Sequence, residues 1–200
     1  MRRRALALLL LLGVALASAC ARKAAFQGQV LDPPRPPLDF TLPDQAGRPL
    51  TLSALRGQVV VLTFLYTTCP DVCPLVTAKL REVSDLLGKS RGQVAMVAVT
   101  VDPERDTAAA VTEYSRRWSM LDRWRFLVGT EAQLDPIWEF YWVGQVRREL
   151  PGSTPKQPQY AVGHGSPVHL FDRAGLVRVV FDADFRPAAM AHDIEILLAQ

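Results

Sequence analysis

The feature that most constrains the fold is an apolar run, residues 59–66, that leads into two cysteines, Cys69 and Cys73. Its Val, Leu, Phe and Tyr residues do not alternate with polar ones, a pattern typical of a strand buried on both faces in the middle of a parallel sheet. Open α/β sheets place ligand sites at the carboxyl ends of such strands. The sequence therefore predicts that both thiols lie at the functional end of a central strand.

A helix is predicted to begin at about Cys73, because Pro74 follows it and apolar residues then recur at helical spacing. Residues four apart share a helix face, so the two sulfurs would come within reach of one metal ion or of a disulfide. The positive end of the helix dipole lowers a thiol's pKa and favours the thiolate. A structural disulfide or two buried thiols are the alternative. Pro70 and Asp71 form a turn between Cys69 and Cys73, and this position favours a site.

Length and composition indicate a single domain. A chain of 200 residues with 49% hydrophobic residues suits one globular unit of about 150 to 165 residues preceded by a leader. The formal net charge is +3, and the leader contributes Arg2, Arg3 and Arg4 to it. We therefore infer no nucleic-acid role from the charge.

Residues 1–20 have the pattern of an export signal: arginines, an apolar stretch over 5–17 and small residues before Cys20. The end of this segment is similar to a bacterial lipobox, although Ala17 stands where Leu is commoner. We predict that Cys20 is lipidated and anchors the protein in the bacterial cell envelope, with its domain facing the periplasm or the cell exterior. Ordinary cleavage after Ala19 and an uncleaved anchor are the alternatives.

Residues 21–39 contain four prolines and predict an extended tether between membrane and domain. A lipid on Cys20 would leave one cysteine pair, Cys69 and Cys73, in an oxidising compartment. That pair must be kept reduced, or must hold metal, to be useful.

Residues 40–200 predict one α/β domain. Turn residues at 44–47 separate two short apolar segments and indicate a small N-terminal hairpin. The order of the later elements is typical of a thioredoxin-like fold, with a central mixed sheet flanked by helices. These predicted elements are strands at 59–66, 93–101, 125–128, 168–171 and 176–181, helices from 73, from 108, over 130–142 and over 188–199, and a proline-rich loop over 150–160.

Three histidines are candidate partners for the thiols: His164, His169 and His192. Two thiolates and an imidazole form a soft donor set that suits Cu(I) and also holds Cu(II). Zinc competes, but a closed zinc site takes four ligands and the domain has no further cysteine. His164 lies between two glycines just before a strand, where backbone freedom lets its side chain turn into a cleft; a structural role stays open. His192 is predicted to lie on the surface.

Three motifs, TTCPDVCPLV, VTVDPERDT and YAVGH, resemble the Sco (SCO1/SenC) family of copper-binding proteins, over residues 40–198. The resemblance implies a thioredoxin-like fold and a copper site formed by Cys69, Cys73 and His164. It also implies delivery of copper to, or thiol reduction of, the binuclear copper site in cytochrome c oxidase subunit II. That subunit is the expected partner, with other copper chaperones or a thiol reductase as further candidates.

The chain departs from the family pattern at two positions. Gly163 stands where the family commonly has Asp just before the ligand histidine, and the missing carboxylate would alter the local field or the histidine's orientation. His169 stands where the family often has an aromatic residue; we expect core packing, with a backup-ligand role as the alternative. Asp71 is expected to stabilise the turn between the cysteines. Asp102 and Arg105 are expected to act in capping and ion pairing.

Two functions compete. The favoured one is a membrane-tethered copper chaperone, which is not an enzyme. The other is a thiol-disulfide oxidoreductase with Cys69 as the attacking thiolate and Cys73 as the resolving thiol. Three residues separate the cysteines here, whereas such enzymes usually have two. A peroxiredoxin-like peroxidase is discounted because Leu62 and Tyr66 occupy the positions of its PxxxTxxC proline and threonine.

Overall fold

The computed structural model describes residues 25–154 and 159–200. Within these ranges the strands are β1 (Gln29–Arg35), β2 (Thr41–Pro43), β3 (Pro49–Thr51), β4 (Val59–Leu65), β5 (Val94–Thr100), β6 (Trp124–Leu127), β7 (Gln145–Glu149), β8 (Tyr160–His164), β9 (Val168–Phe171) and β10 (Val177–Phe181). The α-helices are α1 (Val72–Leu86), α2 (Ala108–Arg117), α3 (Glu131–Phe140) and α4 (Pro187–Leu198), and short 3₁₀ helices cover Leu52–Leu55 and Gly88–Gln93.

A six-stranded sheet forms the centre of the structure, in the order β1-β10-β9-β4-β5-β6. β4 pairs in parallel with β5, and β5 with β6, whereas β9, β10 and β1 join antiparallel. All seven residues of β4 are buried, as an interior strand covered on both faces requires. The predicted mixed sheet and its central, doubly buried strand are confirmed.

Helices flank this sheet, as the sequence predicted. α1 buries Val76, Leu80 and Val83 and packs against α4. α3 begins after Thr130, whose backbone N–H donates to the side-chain Oε1 of Gln133 at 3.0 Å, the N3-to-N-cap bond of a capping box. β2 and β3 form the predicted N-terminal hairpin.

Part of the segment predicted as a tether belongs to the fold. β1 lies within residues 21–39 and pairs with β10 at the edge of the sheet. β1 was not predicted because its sequence contains prolines, which weaken a strand prediction but are tolerated on an edge strand. Just before β1, the backbone N–H groups of Gln27 and Gly28 donate to the buried carboxylate of Asp193 on α4, at 2.8 to 2.9 Å.

The segment before His164 also differs from its prediction. The proline-rich loop was expected to run over 150–160, but Tyr160 already belongs to β8, which pairs antiparallel with β7. This second hairpin was missed because every residue of β7 is exposed and its sequence, QVRRE, lacks the apolar alternation of a half-buried strand. The predicted loop is therefore the connection inside a hairpin.

Among the residues that the structure describes, no helix is long and apolar enough to cross a membrane. The predicted leader, including Cys20, lies outside the described residues. Its export and lipidation therefore stay predictions.

Candidate metal centre

The two cysteines lie where the central strand passes into a helix. β4 ends at Leu65, Cys69 lies in the following turn, and Cys73 is the second residue of α1. The backbone N–H of Cys73 donates to Cys69 Sγ at 3.3 Å, so the sulfur caps the first turn of the helix. Cys73 is fully buried, whereas Cys69 is half-buried.

The two thiols differ in protonation. A hydrogen bond from the Cys73 thiol, which outweighs the opposing effect of burial, lowers the pKa of Cys69 to about 5. Backbone N–H groups of Asp71 and Cys73 act in the same direction. The same hydrogen bond, together with burial, raises the pKa of Cys73. At neutral pH the pair is therefore one thiolate beside one thiol.

His164, the last residue of β8, faces the cysteines. Its Nε2 lies 3.8 Å from Cys73 Sγ. Its Nδ1 lies 2.6 Å from the carbonyl oxygen of Gly165, and since a carbonyl only accepts, Nδ1 carries the proton. Burial lowers the pKa of His164 and keeps the ring neutral. The unprotonated nitrogen is thus Nε2, the atom that lies near Cys73 Sγ.

Tyr66 connects the two halves of this site. Its ring meets the ring of His164 edge-on, with centroids 5.6 Å apart. Its hydroxyl accepts a hydrogen bond from the backbone N–H of Val162 at 3.4 Å. Burial raises the pKa of Tyr66, and the nearby Cys69 acts in the same direction, so the phenol stays protonated.

The turn over 102–106 contacts both halves. Asp106 accepts hydrogen bonds from the backbone N–H and hydroxyl of Thr67, at 3.1 and 2.6 Å, and from the hydroxyl of Thr100 at 2.6 Å. These bonds fix the turn that leads to Cys69. The other end of the motif holds the histidine hairpin, because Arg105 and Asp102 both bond to Tyr160. The ion pair expected of Asp102 and Arg105 is present.

The other histidines lie elsewhere. His169 is buried in β9, and its ring packs against Phe64 and Tyr141, at centroid distances of 6.3 and 5.1 Å. This is the core position expected for it. His192 is half-exposed on α4, and its Nδ1 lies 3.1 Å from Asp193 Oδ1.

Sequence reasoning missed the roles of Tyr66 and Tyr160. The sequence places Tyr66 in the buried strand and against a peroxidase motif, and it places Tyr160 at the end of a loop and in the YAVGH motif, but it assigns neither tyrosine a contact with the site. Tyr160 is the first residue of the YAVGH motif and Arg105 lies in VTVDPERDT, so two motifs that are far apart in the sequence are in contact in the structure. The presence of both motifs in one sequence was the signal that could have indicated this contact.

The donor types suit a soft metal ion. Cys73 lies near both Cys69 and the Nε2 of His164, and Cys69 and Cys73 are the cysteines within the described residues. In that part of the chain, no group of three or more His, Cys, Asp or Glu side chains is already gathered so that it could hold a metal ion. This donor set suits copper better than structural zinc, which takes four ligands. Beside His164, an open cleft of about 730 Å³ is bordered by Trp142 and Val146, whose side chains are 70% and 66% exposed. A partner can therefore approach the hairpin that carries His164; neither cysteine lines this cleft.

Comparison with known proteins gives one consistent result. Residues 32–199 match the SCO1/SenC family. An SCO2-like protein of Rickettsia conorii is 30% identical over 152 residues, which cover 76% of this chain and 72% of the relative. The structure of Bradyrhizobium japonicum ScoI with copper bound has 29% sequence identity and a TM-score of 0.70, covering 80% of this chain and 98% of that chain.

A more distant structure shares the fold. It is that of BsSco, described as a member of the Sco family of cytochrome c oxidase assembly proteins with a disulfide switch. BsSco has a TM-score of 0.67 at 23% identity, over 84% of this chain and 97% of that chain. These likenesses confirm the predicted thioredoxin-like α/β fold, and the match over residues 32–199 shows that the chain belongs to the SCO1/SenC family.

Proposed function

We propose that this protein is a copper chaperone that binds one copper ion through Cys69, Cys73 and His164. The observation that carries the proposal is the approach of His164 Nε2, the unprotonated ring nitrogen, to within 3.8 Å of Cys73 Sγ. The copper-bound state of the relative from Bradyrhizobium japonicum supports the same cargo. Both Cu(I) and Cu(II) suit the donor set.

Three ligands suit transfer better than storage. A three-coordinate ion leaves room for an incoming ligand, so copper can pass to a client by ligand exchange without ever being free. The cleft beside His164 gives a client access to that side of the site. By resemblance to the Sco family, the proposed client is the binuclear copper site of cytochrome c oxidase subunit II. Another copper chaperone would load the site.

The proposed location is the bacterial cell envelope. A lipid on Cys20 would hold the domain at the membrane, facing the periplasm or the cell exterior. The prediction is that Cys20→Ser releases the protein from membranes into the soluble fraction. Retention of the variant on membranes would favour an uncleaved anchor.

A thiol-disulfide oxidoreductase is the second candidate, and the unequal pKa values of the cysteines favour it. The Cys69 thiolate would attack a client disulfide, form a mixed disulfide and release one client thiolate. The Cys73 thiol would then give its proton to that thiolate and attack Cys69, releasing the second client sulfur. The products are a Cys69–Cys73 disulfide and a reduced client, and a thiol reductase would restore the pair.

The deciding experiment is copper titration of the reduced full-length protein in detergent, with competing chelators for Cu(I) and Cu(II). Cys69→Ser is the test variant and Cys20→Ser is its matched control, since each removes one cysteine. We expect one copper per chain in wild type and in Cys20→Ser, with tight binding lost in Cys69→Ser. Weak copper binding by a wild-type protein that rapidly reduces protein disulfides would instead establish the oxidoreductase.

A further inference from the structure

We propose that Arg105 and Asp102 are positioning residues that hold His164 over the cysteines by clamping Tyr160. This inference rests on the proposed copper site and identifies what keeps its nitrogen ligand in place. It gives the VTVDPERDT motif a role in the site beyond capping and ion pairing.

The hairpin that carries His164 needs side-chain contacts to hold it against the rest of the domain. Within the described residues, β7 and β8 form a separate two-stranded sheet and have no ladder to the six-stranded sheet. All five residues of β7 are exposed, so little apolar burial fixes the hairpin from that side. Its position relative to β4 and α1 must come from side chains and a few loop contacts.

Arg105 supplies the central contact. Its Nε pairs with Asp102 Oδ2, and its Nη1 donates to the carbonyl oxygen of Tyr160 at 2.8 Å. The hydroxyl of Tyr160 donates back to Asp102 Oδ1 at 2.7 Å. The three residues therefore form a closed ring of charge-assisted hydrogen bonds around a buried carboxylate, an arrangement stronger than neutral bonds.

A second arginine closes the clamp from outside. The guanidinium of Arg105 lies 3.7 Å from the centroid of the Tyr160 ring, and that of Arg147 lies 3.6 Å from the same centroid. Two guanidinium groups this close must lie on opposite faces of the ring. Arg147 is itself held by Glu104 through two bonds of 2.7 Å. The tyrosine is thus stacked between two cations.

Because Tyr160 and His164 lie on the same strand, β8, contacts that fix Tyr160 also fix His164. Side chains two and four residues apart along a strand point to the same side, so Tyr160, Val162 and His164 all face the domain. Tyr160 and Val162 are 5% exposed, in agreement with that alternation. Four residues of strand span only about 13 Å, so a displacement of Tyr160 moves His164 as well.

The consequence differs between the two copper oxidation states. Two thiolates alone can hold Cu(I), whereas Cu(II) depends on the nitrogen donor. Loosening the clamp should therefore weaken Cu(II) binding selectively. A residue that only stabilised the fold would affect both ions alike.

The test measures Cu(II) and Cu(I) affinities of the full-length protein carrying Tyr160→Phe or Arg105→Gln. Arg147→Ala probes the outer contact, and Arg148→Ala, the exposed neighbour on β7, is its matched control. Amide hydrogen exchange of residues 160–164 in the copper-free protein gives a readout that needs no metal. Tyr160→Phe retains the stacked ring, so this variant decides the question if Arg105→Gln does not fold.

We expect Tyr160→Phe to weaken Cu(II) binding about tenfold, because the hydroxyl loses its bond to the Asp102 carboxylate and its longer contact with Glu104, and to change Cu(I) binding less than about twofold. Amide exchange over 160–164 should accelerate, and Arg148→Ala should match wild type. Equal losses for both ions, or unchanged exchange in Tyr160→Phe, would overturn the positioning role. A wild-type protein that binds no copper would instead overturn the proposed function, while hydrogen exchange would still decide the clamp.

Discussion

The two halves of the candidate site are built in opposite ways. Cys69 and Cys73 lie between β4, which has paired strands on both sides, and α1, which packs against α4. His164 lies on a two-stranded hairpin whose outer strand is wholly exposed. The sulfurs are therefore fixed mainly by the core of the domain, with bonds from Thr67 to Asp106 before Cys69. The nitrogen depends mainly on side-chain bonds between its hairpin and the turn over 102–106.

This difference gives the halves different roles in a metal carrier. The cysteine half is part of the sheet and α1, so in a copper carrier the two sulfurs would be in place in the metal-free protein. The histidine half can adjust at the cost of a few hydrogen bonds, without disturbing the sheet. Copper exchange would then begin on the nitrogen side, which is also the side that the open cleft exposes.

The strongest test of the comparison is removal of the nitrogen ligand. We expect His164→Ala to weaken Cu(II) binding by more than the roughly 10- to 100-fold typical of losing a supporting residue around a metal, because a ligand itself is lost. Cu(I) binding should fall far less, since both thiolates remain. Chelator competition with each ion measures both effects, and His192→Ala is the matched control. Equal loss of both ions would contradict the division into halves.

A second test addresses the sheet behind the site through His169. Burial, with a smaller effect of Arg35, lowers the pKa of this histidine from 6.5 to about 4. As the pH falls through this window the unfolded chain binds the proton first, so the free energy of unfolding decreases, by roughly 3 kcal/mol once both states are protonated.

We expect His169→Phe to remove this part of the pH dependence, as measured by urea unfolding between pH 7 and pH 4 relative to wild type. His192→Phe, at a half-exposed position, serves as the control. An unchanged difference between wild type and His169→Phe across that range would show that His169 stays accessible to protons in the folded protein.

Asp106 tests the cysteine half directly. It accepts three hydrogen bonds from Thr67 and Thr100, so Asp106→Asn should lower the free energy of unfolding by about 1–3 kcal/mol. Affinities for Cu(I) and Cu(II) should decline by a common factor, because the turn positions a sulfur that both ions use. Thermal unfolding and copper titration measure these effects. Asp85→Asn, in an exposed ion pair with Arg123, is the control. If Asp106→Asn weakened the binding of Cu(II) alone, Asp106 would belong to the histidine half instead.

The smallest expected effect comes from restoring the family's usual residue at Gly163. A Cβ there would lie 3.6 Å from the carbonyl oxygen of Val146, an ordinary contact, so Gly163→Asp should change the free energy of unfolding by no more than about 0.5 kcal/mol. The added carboxylate should strengthen Cu(II) binding severalfold, as about 1 kcal/mol of electrostatic attraction predicts. Gly163→Asn lacks the charge and should match wild type. A gain in both variants would indicate an effect of shape.

The same contrast explains what the sequence could predict. The strand β4, the start of α1 and both cysteines were predictable, because apolar periodicity and helix-start signals are local. β7 was not, because its exposed residues carry no apolar pattern. β1 was hidden by its prolines. The clamp on Tyr160 depends on residues 55 positions apart, a contact that no local pattern reveals.

The hydrogen bonds from Gln27 and Gly28 to Asp193 determine how a force on the amino-terminal segment would reach the domain. A pull on the amino-terminal side would reach the domain at Gln27 and Gly28, where Asp193 passes the load to α4. α4 packs against α1, the helix that carries Cys73, so the point of attachment and the sulfurs move as one body. Relative to a membrane anchor, the cysteines would thus be the rigidly held part of the site, and the hairpin with His164 would be the part that can move.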